Sequence, residues 1–336
     1  MTEGSILTNE VPLTESFVPT RLLYREGQLR EIERCLGPAL RKRQARNLFL
    51  VGPTGTGKTS VAKWILDTHF QGQSAYVNCW KYRSSHDVLS EVLFTFQVPV
   101  FGRESTSGLA KKLEKLSRGK SIIICLDEVD RLQDSDLLYV LIRSGIHLVL
   151  ASTHYHTLAH LPSRIKSSLS LSEVEFPGYS SEEIVGILKD RVEFSLRPGT
   201  LSSKLLKIVA TGARGDARTA LETVRRSALN AEERNGRKIS LADVRLASNE
   251  AHRLRLEYFL SKLNDHQRTI YELLVNKGRL ASGLLYHAYC RKARNPVVDR
   301  AYRKYMRRMV DLGLVKEKGM GRWKAYEINL RLTSNS

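Results

Sequence analysis

The chain has 336 residues and carries 54 Lys and Arg against 35 Asp and Glu, a formal net charge of +19 at pH 7. At about 100–200 residues per domain this length predicts two or three domains, and we expect neither a signal peptide nor a membrane-spanning helix, because the start is polar and no apolar run is long enough. So large an excess of positive charge favours a polyanionic partner, most often nucleic acid, with an anionic membrane surface as the competing partner.

The first part of the chain is predicted to be a flexible lead over residues 1–16, followed by a folded core over residues 17–177. Apolar residues recur at helical spacing over 28–40, which predicts a helix. A short apolar run, Leu48–Val51, then has the length and composition of a buried strand.

A glycine-rich stretch follows this strand and matches the phosphate-binding pattern G-x-x-x-x-G-K-S/T. Helical spacing resumes directly after it, so the motif has the strand, loop and helix setting that it needs. Glycines let such a loop bring backbone N–H groups onto phosphate oxygens, and the helix N-terminus adds partial positive charge. The lysine can reach the outer phosphates, and the hydroxyl after it can hold Mg²⁺. The residues predicted to bind the nucleotide are Gly55, Thr56, Gly57, Lys58, Thr59 and Ser60.

Four further apolar runs are predicted to be buried strands, the last of them the weakest. Helical patterns lie between most of these runs, so we expect a parallel five-stranded sheet covered on both faces. The runs span residues 75–78, 122–126, 148–152 and 171–176.

Two acidic residues end the strand predicted over 122–126. Ligands bind at the carboxyl ends of strands in such sheets, so Asp127 is predicted to hold Mg²⁺ directly or through water. Glu128 is predicted to polarise a water for attack on the γ-phosphate. On the neighbouring strand, Thr153 or Ser152 could orient that water, and a strand end merely capped by hydroxyls is the alternative interpretation.

From residue 178 the pattern becomes entirely helical, which predicts a lid domain over residues 178–252. Ser180 and Glu183 have the spacing of a capping box at the start of its first helix. Further helices are expected over 201–210 and 216–233, with a short fourth helix after Ser240.

The last part, residues 256–333, is predicted to be a winged helix-turn-helix domain made of three helices and a small hairpin. Its third helix, over 297–311, has a cationic face opposite an apolar one, as expected of a recognition helix in the major groove. A solvated basic face is the alternative interpretation. The hairpin cations would reach phosphates or the minor groove. The predicted DNA contacts of this domain are Arg300, Arg303, Lys304, Arg307, Arg308, Lys318, Arg322 and Lys324.

These motifs and several shorter stretches together resemble the AAA+ ATPases, and more narrowly the archaeal replication initiators related to origin recognition complex subunit one and cell-division-control protein six. The resemblance spans nearly the whole chain and implies an α/β AAA+ core, an all-helical lid and a C-terminal winged helix. The shorter stretches are Phe17-Val18-Pro19, Tyr24-Arg25-Glu26, Tyr76-Val77-Asn78-Cys79, Arg164–Leu169, Phe176-Pro177-Gly178-Tyr179-Ser180 and Gly215-Asp216-Ala217-Arg218.

The resemblance also implies ATP or ADP and Mg²⁺ as cofactors, together with further site residues. Residues 92–108 would form the helical insertion that touches DNA in this family, with Pro99 and Arg103 near its tip; a buried loop is the alternative interpretation. The implied nucleotide contacts are Val18, Pro19 and Arg25 beside the adenine, Tyr179 and Arg191 on the first lid helix, and Arg218 as the sensor arginine of the lid.

Two positions depart from the pattern of the family. Thr153 stands where many relatives have asparagine, so we expect slow turnover. Ser167-Ser168 stands where eukaryotic relatives often have Ser-Arg, which leaves Arg164 as the candidate substitute for an arginine finger.

The predicted function is therefore an ATP-regulated replication initiator with weak ATPase activity that binds double-stranded origin DNA. By resemblance its partners would be the replicative minichromosome maintenance helicase and paralogous initiator subunits. Four widely spaced cysteines without a C-x-x-C pair favour an intracellular protein, expected in the cytoplasm on the nucleoid and not at a membrane. The alternatives are an ATP-switched transcription or plasmid-maintenance regulator and an AAA+ DNA motor of the branch-migration type.

Overall fold

Five parallel strands form the main sheet of the computed structural model, which describes residues 5–41, 43–102, 104–261, 263–319 and 324–329. The order across the sheet is β2-β3-β4-β1-β5, and every neighbouring pair is parallel. The predicted five-stranded parallel sheet is therefore confirmed. The strands are β1 Asn47–Val51, β2 Ser74–Asn78, β3 Ile123–Asp127, β4 His147–Ser152 and β5 Leu171–Glu175.

Helices cover both faces of this sheet, as a parallel sheet requires. Successive strand residues point to opposite faces, so Ile123 and Cys125 enter one apolar cluster while Ile124 and Leu126 enter the other. The helix predicted over 28–40 ends earlier than expected, at Leu36, and continues as a 3-10 turn. The α-helices of this layer are α1 Glu26–Leu36, α2 Lys58–His69, α3 Ser85–Thr95, α4 Thr106–Ser117, α5 Asp136–Arg143 and α6 Ser163–Leu169.

The next segment is helical throughout, in agreement with the sequence pattern, and consists of α7 Ser181–Ser195, α8 Ser203–Ala213 and α9 Ala217–Glu233. The predicted capping box is present at the start of α7. Glu183 N–H donates to Ser180 Oγ at 3.1 Å, and Ser180 N–H donates to Glu183 Oε2 at 2.7 Å. Asp216 caps α9 by accepting a hydrogen bond from Thr219 N–H at 3.0 Å.

Residues 5–16 pack against this helical segment, so the predicted flexible lead is wrong for them. Ile6 and Leu13 are 1% and 2% exposed. Leu7 forms an antiparallel bridge with Leu196 at the end of α7, and Ser5 Oγ donates to Glu232 Oε1 of α9 at 2.5 Å. The segment is mostly polar, so its few apolar residues do not show a pattern in the sequence. Ile6 and Leu13 are buried because they pack against the helical segment.

The chain divides into two compact units, residues 1–239 and 240–336. The second unit begins with α10, Leu241–Ser261, a helix of 21 residues where we predicted a short one. The predicted boundary between the lid domain, residues 178–252, and the terminal domain, residues 256–333, therefore lies inside a continuous helix. Residues 249–256 contain neither Pro nor Gly, so nothing in them stops the helix. Across the described ranges, no helix is both long and apolar enough to cross a membrane.

The predicted helices and hairpin of the second unit are present. The helices are α11 Asp265–Lys277, α12 Ser282–Lys292 and α13 Asp299–Asp311. An antiparallel sheet accompanies them, with strands in the order β6 Leu280–Ala281, β8 Ala325–Ile328 and β7 Val315–Lys318. We did not predict β6, because two residues are too few to show alternation. This arrangement fits the winged helix-turn-helix interpretation.

Candidate nucleotide site and cationic helix

A cavity at the carboxyl ends of β1, β3 and β4 collects most of the predicted nucleotide-site residues. Helices α7 and α9 close it from the other side within the same compact unit. Among the predicted residues, Val18 and Arg25 do not line it. Those that do are Pro19, Gly55, Thr56, Gly57, Lys58, Thr59, Ser60, Asp127, Glu128, Thr153, Tyr179, Arg191 and Arg218.

The glycine loop after β1 leaves no room for side chains at two positions. Gly55 has φ +68°, and a Cβ there would lie 1.8 Å from Asp216 Oδ1. Gly57 has φ +90°, and a Cβ there would lie 2.7 Å from Tyr179 Oη. Only glycine adopts these angles without strain. The bare backbone of the loop is therefore presented to the cavity, as phosphate binding requires.

Lys58 opens α2 and is 7% exposed. Its ammonium group donates to the carbonyl oxygens of Gly52 at 2.6 Å and Pro53 at 2.7 Å. Burial lowers the pKa of Lys58 to about 8, and the nearby Asp127 charge only partly opposes that effect. Phosphate oxygens are stronger partners for an ammonium group than neutral carbonyls are, so the site favours an anionic ligand.

The Asp127 carboxylate at the end of β3 is 3% exposed and is held by several donors. Thr59 Oγ1 donates to Oδ2 at 2.6 Å, and Glu128 N–H donates to Oδ1 at 2.9 Å. Tyr76 Oη also donates to Oδ2, at 2.8 Å. Sequence reasoning missed Tyr76. Its role depends on the strand register, which the sequence does not supply: Tyr76 lies two residues before Asn78, and Asn78 pairs with Asp127 in the parallel ladder.

Glu128 follows in the left-handed region of the backbone, at φ +53°. Strained backbone of this kind is concentrated at functional sites. Burial raises the pKa of Glu128, and the Asp127 and Asp130 charges raise it further. Ser152 Oγ is committed to protein partners, since it donates to Asp130 Oδ1 at 2.9 Å and accepts from His154 N–H at 3.1 Å. Of the two candidate hydroxyls, Thr153 is therefore the better placed to meet a water.

Arg25 supports the loop instead of lining the cavity. Its guanidinium donates to the carbonyl oxygens of Thr56 at 2.9 Å, Tyr24 at 2.8 Å and Pro177 at 2.8 Å. The group also lies 3.6 Å from the centroid of the Tyr179 ring. These contacts tie the phosphate loop to the start of the lid. The expected contact of Arg25 with an adenine stays a prediction.

The two lid arginines differ in their partners. Arg191 Nε is buried without a hydrogen-bond partner, and the nearest carboxylate oxygen, Asp190 Oδ2, is 4.0 Å away. Burial lowers the pKa of this arginine. A buried cation with an unsatisfied N–H fits an anionic ligand in the cavity. Arg218 is half exposed and pairs with Glu15 Oε1 at 2.6 Å.

The donor set fits Mg²⁺ bound together with a nucleotide. In the part of the chain that the structure describes, no group of three or more His, Cys, Asp or Glu side chains could hold a metal ion. Thr59 and Asp127 supply oxygen donors at one point of the cavity. Mg²⁺ typically takes one or two protein ligands and completes its shell with phosphates and water.

The cationic face predicted for α13 is present. Tyr302, Met306 and Met309 are buried on the opposite face of the helix. Arg303 Nη2 lies 2.5 Å from Asp299 Oδ2, one turn earlier in the helix. The exposed cations of the helix are Arg300, Arg303, Lys304, Arg307 and Arg308.

The hairpin cations are paired with carboxylates on the opposite strand. Lys318 Nζ lies 2.8 Å from Glu327 Oε1, and Lys324 Nζ lies 2.6 Å from Glu317 Oε1. These cross-strand pairs could not be predicted before the register of the hairpin was known. The predicted contact Arg322 lies outside the described residues.

In the predicted insertion, residues 92–108, Phe94 at the end of α3 and Phe101 before α4 are 76% and 69% exposed. Val98 and Val100 pack partly against the core. Pro99 is exposed, and its carbonyl oxygen accepts from Lys112 Nζ at 2.8 Å. The predicted contact Arg103 lies outside the described residues.

The sheet, the phosphate loop, the acidic strand end and the helical lid define an AAA+ ATPase. Residues 41–158 match the family model of an AAA domain, and residues 185–249 match that of the Cdc6 AAA+ ATPase-type lid domain. The chain is 31% identical over 304 residues to the ORC1-type DNA replication protein 2 of Methanosarcina mazei. The alignment covers 82% of this chain and 80% of the relative. The chain therefore belongs to the ORC1/Cdc6 family of DNA replication initiators.

Two further comparisons agree with this membership. The ORC1-type DNA replication protein 1 of Halobacterium salinarum is 28% identical over 308 residues, covering 89% of this chain and 100% of the relative. The structure of the Aeropyrum pernix ORC1 protein in complex with DNA superimposes with a TM-score of 0.77 at 26% identity, covering 98% of this chain and 96% of that one.

Proposed function

We propose that this protein is an ATP-regulated DNA replication initiator that binds double-stranded origin DNA and helps to recruit the replicative helicase. One observation carries the nucleotide part of the proposal. The phosphate loop, the Asp127–Glu128 strand end and the lid arginines line a single cavity in a chain of the ORC1/Cdc6 family.

The cavity residues would hold ATP or ADP together with Mg²⁺. The backbone of Gly55 to Gly57 and the N-terminus of α2 would surround the phosphates. Lys58 would exchange its two carbonyl partners for phosphate oxygens, and Thr59 with Asp127 would hold Mg²⁺. The bound ion would neutralise phosphate charge and fix the orientation of the phosphates.

Hydrolysis is proposed to be slow. Glu128 is the candidate base for a water at the γ-phosphate, and Thr153 is the candidate for orienting that water. A threonine hydroxyl has less reach than an asparagine side chain would have at this position. Slow turnover suits a protein whose bound nucleotide acts mainly as a switch.

The contacts between the loop and the lid support such a switch. Ala217 N–H at the start of α9 donates to Gly55 O at 3.1 Å, and Arg25 links Thr56 to Pro177. A nucleotide would touch the same loop that the lid touches. The presence or absence of the γ-phosphate is therefore proposed to bias the angle between core and lid.

The DNA part of the proposal rests on the positive charge of the chain and on its similarity to a protein solved with DNA. The five exposed cations of α13 offer a face that phosphates or base edges could meet, and the formal net charge of +19 favours a polyanion. The similar Aeropyrum pernix protein has been solved in complex with DNA. The minichromosome maintenance helicase and paralogous initiator subunits are proposed as partners on family membership alone, and the nucleoid as the place of action.

Genome-wide mapping of the DNA bound by the protein in its own cells tests this function. The proposal expects occupancy at replication origins, within repeats that bind the purified protein. Occupancy confined to promoters would favour a transcription regulator instead. ATP-driven branch migration by the purified protein alone would favour a DNA motor.

A further inference from the structure

We infer that Tyr76 is a positioning residue for Mg²⁺ at the nucleotide site, where its phenolic O–H sets the orientation of the Asp127 carboxylate. The inference deepens the proposed function and rests on it, because Thr59 and Asp127 are the groups proposed to hold the ion.

Tyr76 reaches the carboxylate from the neighbouring strand. The parallel ladder places Tyr76 opposite Cys125 and Asn78 opposite Asp127. Paired residues of adjacent strands share a face and side chains alternate along a strand, so Tyr76 and Asp127 point to the same side of the sheet. Tyr76 Oη donates to Asp127 Oδ2 at 2.8 Å.

The same carboxylate oxygen accepts from Thr59 Oγ1 at 2.6 Å, while Oδ1 accepts from Glu128 N–H at 2.9 Å. Thr59 has two tasks in the proposed site, since its oxygen would also contact Mg²⁺. The Tyr76 hydroxyl is not among the groups proposed to hold the ion, and it donates to the carboxylate. Without it, Oδ2 would keep only the described contact with the Thr59 hydroxyl, which the ion itself engages, while Glu128 N–H would still hold Oδ1.

The protein fixes the Tyr76 ring independently of any ligand. Lys63 Nζ lies 4.7 Å from the ring centroid, and the ring packs against the apolar cluster beneath α1 and α2. Phenylalanine at position 76 would keep this packing and remove only the hydroxyl. The substitution therefore removes the O–H that donates to Asp127 and leaves the ring in place.

The test compares Y76F with the wild type in binding a fluorescent ADP analogue, first in EDTA and then across a Mg²⁺ titration. We expect unchanged affinity in EDTA. We expect the Mg²⁺ concentration that gives half of the tightening to rise about tenfold or more, since loss of an outer-shell partner typically costs about 10–100-fold in metal affinity. Thermal unfolding of the ligand-free variant checks that the fold is intact.

The matched control is Y82F. Tyr82 follows the same strand and packs partly against the core, but it does not line the cavity, so its Mg²⁺ titration should coincide with that of the wild type. An unshifted Mg²⁺ midpoint for Y76F overturns the inference. An equal loss of affinity in EDTA and in Mg²⁺ also overturns it, because that result indicates general support of the fold. A wild-type protein that binds no ADP at all would refute the proposed nucleotide function itself.

Discussion

At the scale of single residues, the site combines two cations and a carboxylate that are costly to bury without partners. Lys58 is turned onto backbone carbonyls, and Arg191 Nε has no hydrogen-bond partner. Three donors hold the Asp127 carboxylate, so its orientation is set by the protein without a ligand. A nucleotide with Mg²⁺ would satisfy the cations and leave the carboxylate where it is.

Glu128→Gln separates nucleotide binding from hydrolysis. The amide keeps the size of the side chain but cannot accept a proton from water, so hydrolysis should fall by about 100-fold or more, within the range of general-base contributions. ATP affinity should remain close to that of the wild type. Single-turnover phosphate release and equilibrium ATP binding measure the two effects.

The control for that variant is Glu173→Gln, which changes an exposed glutamate on β5. It should hydrolyse ATP at the wild-type rate. Hydrolysis by Glu128→Gln at the wild-type rate would remove Glu128 from the proposed chemistry.

The lowered pKa of Lys58, about 8, predicts a dependence of nucleotide affinity on pH. Phosphates would raise that pKa again, so between the two values the complex holds a proton that the free protein has lost. Binding then takes up a proton, and affinity should fall as pH rises above about 8, by up to about tenfold per pH unit. Calorimetry of ADP binding in EDTA, in two buffers of different ionisation heat, measures the uptake. Affinity that stays constant from about pH 7 to about pH 9.5 would contradict the assignment.

At the scale of elements, α13 and the hairpin make unequal contributions to the proposed DNA surface. The helix exposes five cations and pairs Arg303 with Asp299. The hairpin cations Lys318 and Lys324 face carboxylates across the strands. Removing charge from the helix should therefore affect DNA binding more than removing it from the described part of the hairpin.

Arg303→Ala combined with Arg307→Ala tests the helix. Each phosphate contact contributes about one unit to the dependence of log affinity on log salt concentration. The double variant should bind duplex DNA more weakly, with a salt slope reduced by up to about two units; the Arg303 share is the smaller where its pairing with Asp299 persists. Filter binding across a salt series measures both quantities.

The control removes the same charge from a different helix, through Arg268→Ala with Lys277→Ala on α11, where both residues are exposed. If the α13 variant matches the α11 variant in affinity and slope, α13 is not the DNA-binding element.

Elements with strong local patterns were predictable, and those defined by distant partners were not. The five strands, the capping box and the cationic face of α13 each follow from spacing within a few residues. The packing of Ile6 and Leu13 depends on distant helices, α7 and α9, which begin at Ser181 and Ala217. Tyr76 and the hairpin ion pairs likewise depend on strand register. The resemblance gave the neighbourhood of Arg25 but not the direction of its side chain, which donates to loop carbonyls and does not line the cavity.

At the scale of the whole molecule, the nucleotide cavity and the cationic helix proposed to bind DNA belong to different compact units. The cavity lies within residues 1–239, and α13 lies within residues 240–336. Long α10 opens the second unit directly after the lid segment. The central claim is that nucleotide in the first unit controls how DNA is bound, while part of the DNA affinity belongs to the second unit itself.

Duplex DNA affinity of the wild type and of Lys58→Ala, each measured with ATP, with ADP and without nucleotide, tests that claim most directly. The wild type should bind origin DNA differently in ATP and in ADP. Lys58→Ala should give one affinity under all three conditions, weaker than the best wild-type value but still measurable. Identical wild-type affinities in ATP, in ADP and without nucleotide would contradict the account, as would complete loss of DNA binding by a well-folded Lys58→Ala protein.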